Sequence, residues 1–230
     1  MSAAASIPTP LEPTLYSLLP ISLHTSVVSH LSLLSIHAEP YLLIERIYQT
    51  TNPVLQGQTR SLRFRSRRIL AASLKGKGKE IERQEWVHDL AYISLPLRSA
   101  EYSEASVRAI LGLEIQDMSQ TKEIEEFITA LGFQHSHTYT LTGHLFHLPL
   151  PRPAKPPLTL HLSITRLSLL PEQVQEGPLS NEPYIVQLRP SRPVYAIAQP
   201  GDIRLQDTIA LMQSITGQID NLEWTTGSSL

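Results

Sequence analysis

Segment after segment of this chain alternates apolar and polar side chains at the two-residue period of a β-strand, and most connections between those segments are too short to carry a crossover. The clearest case is Leu158–Leu169, where Leu158, Leu160, Leu162 and Ile164 alternate with Thr159, His161, Ser163 and Thr165, giving one buried face and one polar face. Leu15–Leu23, Tyr41–Gln49, Ser61–Leu70, Glu85–Leu97, Tyr184–Leu188 and Val194–Ala198 read the same way, with a short closing strand near Ile219–Trp224. Ser106–Gln116 reads as a strand too, with a short helix as the alternative. Phe133–Leu141 and His144–Leu148 read as a hairpin turning at Thr142 and Gly143. Eight or more strands in antiparallel succession must hide their edges. The expected fold class is therefore α+β: a closed or nearly closed multistranded antiparallel β-barrel with about three flanking helices.

The helices announce themselves by a change of period. From Thr25, Val27, Leu31, Leu34 and Ala38 share one helical face until Pro40 stops the run. Over Ser119–Leu131, Ile124, Phe127, Ile128 and Leu131 form a buried stripe, with Ser119 or Thr121 as cap and Gly132 as a left-handed stop. Asp202 caps a last helix, Ile203–Thr216, which Gly217 ends. The expected layout is a disordered leader over 1–14, one barrel domain over 15–224 and a tail over 225–230. Flexible loops are expected near 71–83, 149–157 and 171–182, where lysine, glycine and proline collect.

Composition narrows the function. Of 230 residues, 41% are hydrophobic and 17% charged, which is a folding chain, and a net charge of -2 supplies no global field for nucleic acid. The absence of cysteine excludes disulfides and thiol chemistry. Residues 14–38 carry no charge, but Pro20, His24, His30 and repeated serines make them too polar for a membrane span. The glycine–lysine repeats of 71–83 miss the spacing of a phosphate-binding loop, and neither a serine-hydrolase elbow nor a zinc-protease helix is present.

Two constellations remain. His135, His137, His144 and His147 lie close in sequence, and a His-x-His pair on one strand face is a geometry zinc uses. A two-residue turn at Thr142 and Gly143 separates His137 from His147 onto opposite faces, whereas a longer turn brings them opposite one another. They are read as ordinary sheet histidines, and no metal ligand, cofactor or catalytic residue is assigned. Arg60, Arg63, Arg65, Arg67 and Arg68 form the densest charge in the chain. On a strand, Arg63, Arg65 and Arg67 share one face and Leu62 and Phe64 the other. The three guanidiniums then either sit on a solvated or acid-paired face, meet a partner protein, or line a groove or lumen for anions. With Phe64 alone interleaved for base stacking, no specific nucleic acid is expected.

The run from Ile124 to Phe146, an amphipathic helix, then Leu131-Gly132-Phe133, a strand, then Gly143-His144-Leu145-Phe146, resembles the subunit 18 family of the Mediator head module, in its fungal type. The Arg63-to-Arg68 strand and the segments before it follow in the same order. The matching residues are Gly132, Phe133, Gly143, His144, Leu145 and Phe146. The resemblance implies a multistranded barrel that pairs with Mediator subunit 20 and receives a C-terminal helix of subunit 8. It also implies a nuclear, non-enzymatic part in regulating RNA polymerase II. That barrel is similar to the triphosphate tunnel enzymes, which supply the rival expectation of a phosphohydrolase or polyphosphate-binding barrel. Such enzymes carry Glu-x-Glu-x-Lys on the first strand to hold a metal, whereas Leu15–Leu23 contains no charged residue.

Overall fold

Antiparallel strands close into a complete ring in a computed structural model that describes residues 8–50, 60–70, 84–97, 102–115, 121–151, 153–169, 182–220 and 222–226. The strands are β1 (Leu11–Leu19), β2 (His37–Thr50), β3 (Ser61–Leu70), β4 (Gln84–Ile93), β5 (Ser106–Ile115), β6 (Phe133–Leu148), β7 (Leu160–Leu169) and β8 (Tyr184–Pro190). The helices are α1 (His24–Leu34), α2 (Thr121–Ala130) and α3 (Leu205–Thr216). Around the barrel the order is β1-β5-β4-β3-β2-β6-β7-β8. One strand makes the closure: Leu11–Thr14 of β1 pair with β5, and Leu15–Leu19 pair with β8. Closure leaves only short stretches of strand with a single partner, which limits templating of another strand.

The two faces of each strand have separate fates. Leu11, Leu15 and Leu19 of β1, Phe146 and Leu148 of β6, Leu160, Leu162 and Ile164 of β7, and Val186 and Leu188 of β8 point out of the barrel. There they form one core with Val27 and Leu31 of α1 and Leu205, Ile209 and Met212 of α3. Each such buried side chain contributes about 1.5–3 kcal/mol relative to exposure. On the other side of the ring, α2 lays its fully buried Ile128 on Tyr48, Phe64 and Leu90. The helices thus cover parts of the outer wall, and the charged faces are left to the lumen.

Several expectations need correcting. The first strand runs over Leu11–Leu19, not Leu15–Leu23, and Ile21–Leu23 form a 3-10 turn. Glu12 and Pro13 hid its start. Pro13 is tolerated because β1 has a partner on only one side there, β5, so its missing N–H breaks no ladder. Similarly, α1 stops at Leu34, and Ala38 and Pro40 belong to β2. Pro40 lies where β2 pairs with β6 alone, since pairing to β3 begins at Leu43.

The hairpin at Thr142 and Gly143 does not exist: β6 is one continuous strand of 16 residues, paired with β2 over Phe133–His147 and with β7 over Tyr139–Leu148. Gly143 serves a different purpose, because a Cβ there would collide with the backbone carbonyl of Ile164. Val194–Ala198 and Ile219–Trp224 are not strands; isolated bridges join Leu11 to Val194 and Tyr16 to Thr225. Ser106–Ile115 is a strand, and Gly132 adopts φ +87° after α2, as a left-handed stop requires. The loop at 71–83, the bulk of that at 171–182, and Ser119 lie outside the described residues.

The last helix starts at Leu205 rather than Ile203, and its N-cap is Arg204 with no side-chain cap, so Asp202 is not the cap expected. The Asp202 carboxylate accepts from the Ile203 N–H at 2.7 Å and from Arg192 at 2.6 Å, while Arg192 also donates to the Pro156 carbonyl at 2.8 Å. This group ties the proline-rich connection to the entry of α3. Burial alone would raise the Asp202 pKa, but the Arg192 and Ile203 hydrogen bonds outweigh it and hold the carboxyl below its ordinary 3.8. Asp202→Ala is expected to lower stability by about 1–2 kcal/mol in urea unfolding at neutral pH, through loss of its hydrogen bonds to Arg192 and Ile203. A depressed carboxylate stabilises above its unfolded pKa, so the difference from wild type should shrink as pH falls below about 3.8. A deficit that stays constant through that range would contradict the role.

Candidate functional site

Side chains from the inner faces of β1 to β8, among them Glu12, Glu45, Asp89, Glu114, Tyr139 and Arg189, enclose a cavity of about 490 Å3. Arg63, Arg65 and Arg67 all line it, so the arginine face is a lumen face. It is also acid-paired. Strand register sets Glu45 opposite Arg65 and Tyr139, and Arg65 opposite Asp89. Glu45 Oε1 accepts from Arg63 at 3.1 Å and Arg65 at 3.4 Å, and the Tyr139 hydroxyl donates to Oε2 at 2.5 Å. Arg65 lies 3.7 Å from Asp89, and Arg67 lies 3.8 Å from Glu39. On β8, Arg189 bonds Glu12 at 3.1 Å.

Glu45 is 4% exposed, and burial pulls its pKa upward, yet Arg65, Arg63 and the Tyr139 hydrogen bond together hold it below the usual carboxylate range. Burial, followed by the Glu45 charge, pushes the Tyr139 hydroxyl upward and keeps it a proton donor. Asp89 is raised, chiefly by burial. Arg63, Arg65, Arg67 and Arg189 line the cavity together with Glu12, Glu45, Asp89 and Glu114.

Glu12 corrects the expectation that the opening strand lacks acid: the strand begins early enough to include it. Its continuation on the same strand parity is Thr14 and Tyr16, so the first strand presents one carboxylate already bonded to arginine, with neither a second carboxylate nor a lysine after it.

The four histidines are dispersed. A register shift between Ile47 and Tyr48 lets His137 face Ile47 while His135 faces Tyr48, so the His-x-His pair is split. His135 bonds the Thr138 hydroxyl at 2.8 Å, and His137 bonds that of Ser136 at 3.1 Å. His144 sits on the outer wall, its ring 6.0 Å from that of His24. His147 alone enters a cluster: register sets it beside His37 on β2 and His161 on β7, and Glu39 reaches its Nε2 at 3.2 Å. Burial, then Arg189, His147 and Arg67, depress His161 to about 3, so it is a neutral imidazole at physiological pH. Sequence spacing missed this cluster because His37 and His161 lie on other strands; only the register joins them.

Arg60 is exposed, and Arg68, of the opposite parity to the lumen arginines, stands beside Trp86 on β4. Of the family-matching residues, Gly132 turns the chain out of α2, Phe133 opens β6, and Leu145 and Phe146 are buried. On the outer wall, Leu111 and Leu113 of β5 are each 63% exposed, beside Tyr92 of β4, and Phe127 and Leu131 near the end of α2 are also uncovered. Among the described residues, nothing covers these apolar side chains. Among the described residues, no helix is long and apolar enough to cross a membrane.

No family profile and no curated protein matches the sequence. Solved structures do. The chain is similar to one in the Mediator head module of Schizosaccharomyces pombe, with a TM-score of 0.56 and 17% identity over 93% of this chain and 97% of that one. It is similar to the PH1819 protein of Pyrococcus horikoshii, with a TM-score of 0.56 and 11% identity over 95% of each chain. A putative adenylyl cyclase of Hippeastrum with a dominant triphosphatase activity follows, with a TM-score of 0.50 and 14% identity over 95% of this chain and 92% of that one. At these identities the likeness establishes the fold: a closed eight-stranded antiparallel barrel with three helices.

Proposed function

We propose that this chain is a non-enzymatic scaffold subunit of a Mediator head module, acting in the nucleus in the regulation of RNA polymerase II. The carrying observation is the lumen face of β1. Glu12 is bound by Arg189, and Thr14 and Tyr16 follow it where metal-dependent triphosphate chemistry needs a carboxylate and a lysine. The remaining lumen arginines are engaged by Glu45, Asp89 and Glu39. The similarity to a Mediator head chain and the Gly132-to-Phe146 run support the same reading.

In this reading, Mediator subunit 20 pairs with the barrel, and the C-terminal helix of subunit 8 lays its apolar stripe on the uncovered β4–β5 face at Leu111 and Leu113. Coexpressed with subunit 20 and the C-terminal segment of subunit 8, the chain should elute as one complex. Leu111→Asp with Leu113→Asp should weaken capture of the subunit 8 segment at least about tenfold, leaving the melting temperature unchanged. Independent elution of all three at micromolar concentration would reject the assignment.

A polyphosphate-binding or phosphohydrolase barrel is the second reading. It draws on the four lumen arginines and on the triphosphatase activity of the Hippeastrum protein. It requires magnesium- or manganese-dependent phosphate release from triphosphate; turnover no higher than a buffer blank would remove the enzyme.

A further inference from the structure

We propose that His37, Glu39 and His147 form a binding site for a late transition-metal dication, zinc in particular, at one end of the barrel lumen. The donor atoms of the three side chains lie within 4.8 Å of one another. Two come from alternate positions of β2 and the third from the register-matched position of β6, so the pairing that builds the barrel also builds the donor set. His147 Nε2 and Glu39 Oε1 are 3.2 Å apart. A tetrahedral ion with bonds of about 2.0–2.1 Å separates its ligands by about 3.4 Å, so this edge already has the required spacing. His37 is exposed and its ring stands 5.3 Å from that of His147, leaving it free to close the remaining edges by side-chain rotation.

Backbone bonding holds the frame, with the Ile36 N–H donating to the His147 carbonyl at 2.9 Å. Across the next strand the His161 ring packs edge-on against His147 at 4.5 Å and fixes its plane.

Chemistry selects the ion. Two imidazoles and one carboxylate suit zinc and its neighbours, whereas magnesium and calcium seek oxygen ligands only. Three protein ligands leave the fourth position to water or an incoming group. The Arg67 guanidinium, 3.8 Å from the same Glu39 oxygen, is the cation that an ion must displace. This site uses none of the first-strand positions at which triphosphate enzymes hold their metal.

The test is a zinc titration of the full chain by isothermal calorimetry, after treatment with a chelator. One equivalent should bind with micromolar or tighter affinity, undisturbed by excess magnesium. His37→Gln and His147→Gln should each weaken it at least about tenfold, since even supporting contacts around a metal are worth about 10–100-fold. Arg67→Gln should tighten it, and the double variant His135→Gln with His137→Gln should leave it unchanged. His37→Gln alters an exposed residue and should melt with the wild type, which separates lost ligation from lost folding. No saturable uptake in the micromolar range, or wild-type affinity in His37→Gln, would overturn the proposal.

Discussion

Replacing Glu45 with alanine is expected to lower the unfolding free energy by about 3–5 kcal/mol, because it strands buried charges rather than merely deleting a contact. Glu45 is the shared acceptor of Arg63, Arg65 and Tyr139. Its removal leaves two guanidiniums facing one another in a lumen that has one carboxylate fewer, and it leaves the Tyr139 hydroxyl without its partner. Urea unfolding at neutral pH measures the effect. A loss below about 1 kcal/mol would mean that water fills the lumen and that the group behaves like a surface ion pair.

The pH profile supplies an independent check on the same residue. With a folded pKa below the ordinary 4.5, Glu45 contributes its stabilisation fully above that pH and loses it as pH falls through the lower folded value. Wild type and Glu45→Ala should therefore converge in stability as the solution is acidified below about 4.5. If the gap were unchanged there, Glu45 would not be ionised in the fold.

Gly143→Ala is the second large effect expected, about 3 kcal/mol, at the upper end of the usual overpacking range. The new Cβ would meet the backbone carbonyl of Ile164, which has no rotamer to move to and lies within the β6–β7 ladder. Hydrogen exchange should locate the loss in β7, where the Ile164 and Thr165 amides lose protection. Gly143→Asn discriminates between two roles for the glycine. A left-handed turn residue tolerates asparagine, whereas a position of close backbone approach rejects any side chain. A variant within about 0.5 kcal/mol of wild type would show that the strands can separate at no cost.

Much of the barrel is legible before any coordinate. The segregation of Arg63, Arg65 and Arg67 from Leu62 and Phe64 follows from the strand period, and the structure keeps it. The stripe of α2 is only half kept: Ile124 and Ile128 contact the Tyr48 and Phe64 cluster, whereas Phe127 and Leu131, expected on the same buried stripe, are exposed. Glycine was the ambiguous sign. Gly132 ends a helix by its positive φ, while Gly143, which looks like the same punctuation, sits within a continuous strand for want of space. A backbone neighbour distant in sequence leaves no local mark. Proline misled for a related reason: Pro13 and Pro40 read as breaks, yet each lies on a strand where one flank has no partner.

The amino-acid order alone therefore determined that this chain is a succession of two-faced strands with three helical stripes, and that three arginines stand together on one face. Alternation has no handedness, however: it separates the faces without stating which of them turns inward. Closure of β1 onto both β5 and β8 made that choice, with α1, α2 and α3 covering parts of the apolar outer wall and the charged faces enclosed. The same closure and register brought Glu12 to Arg189, Glu45 to Tyr139 and His37 to His147, contacts between residues too far apart along the chain for any local pattern to relate.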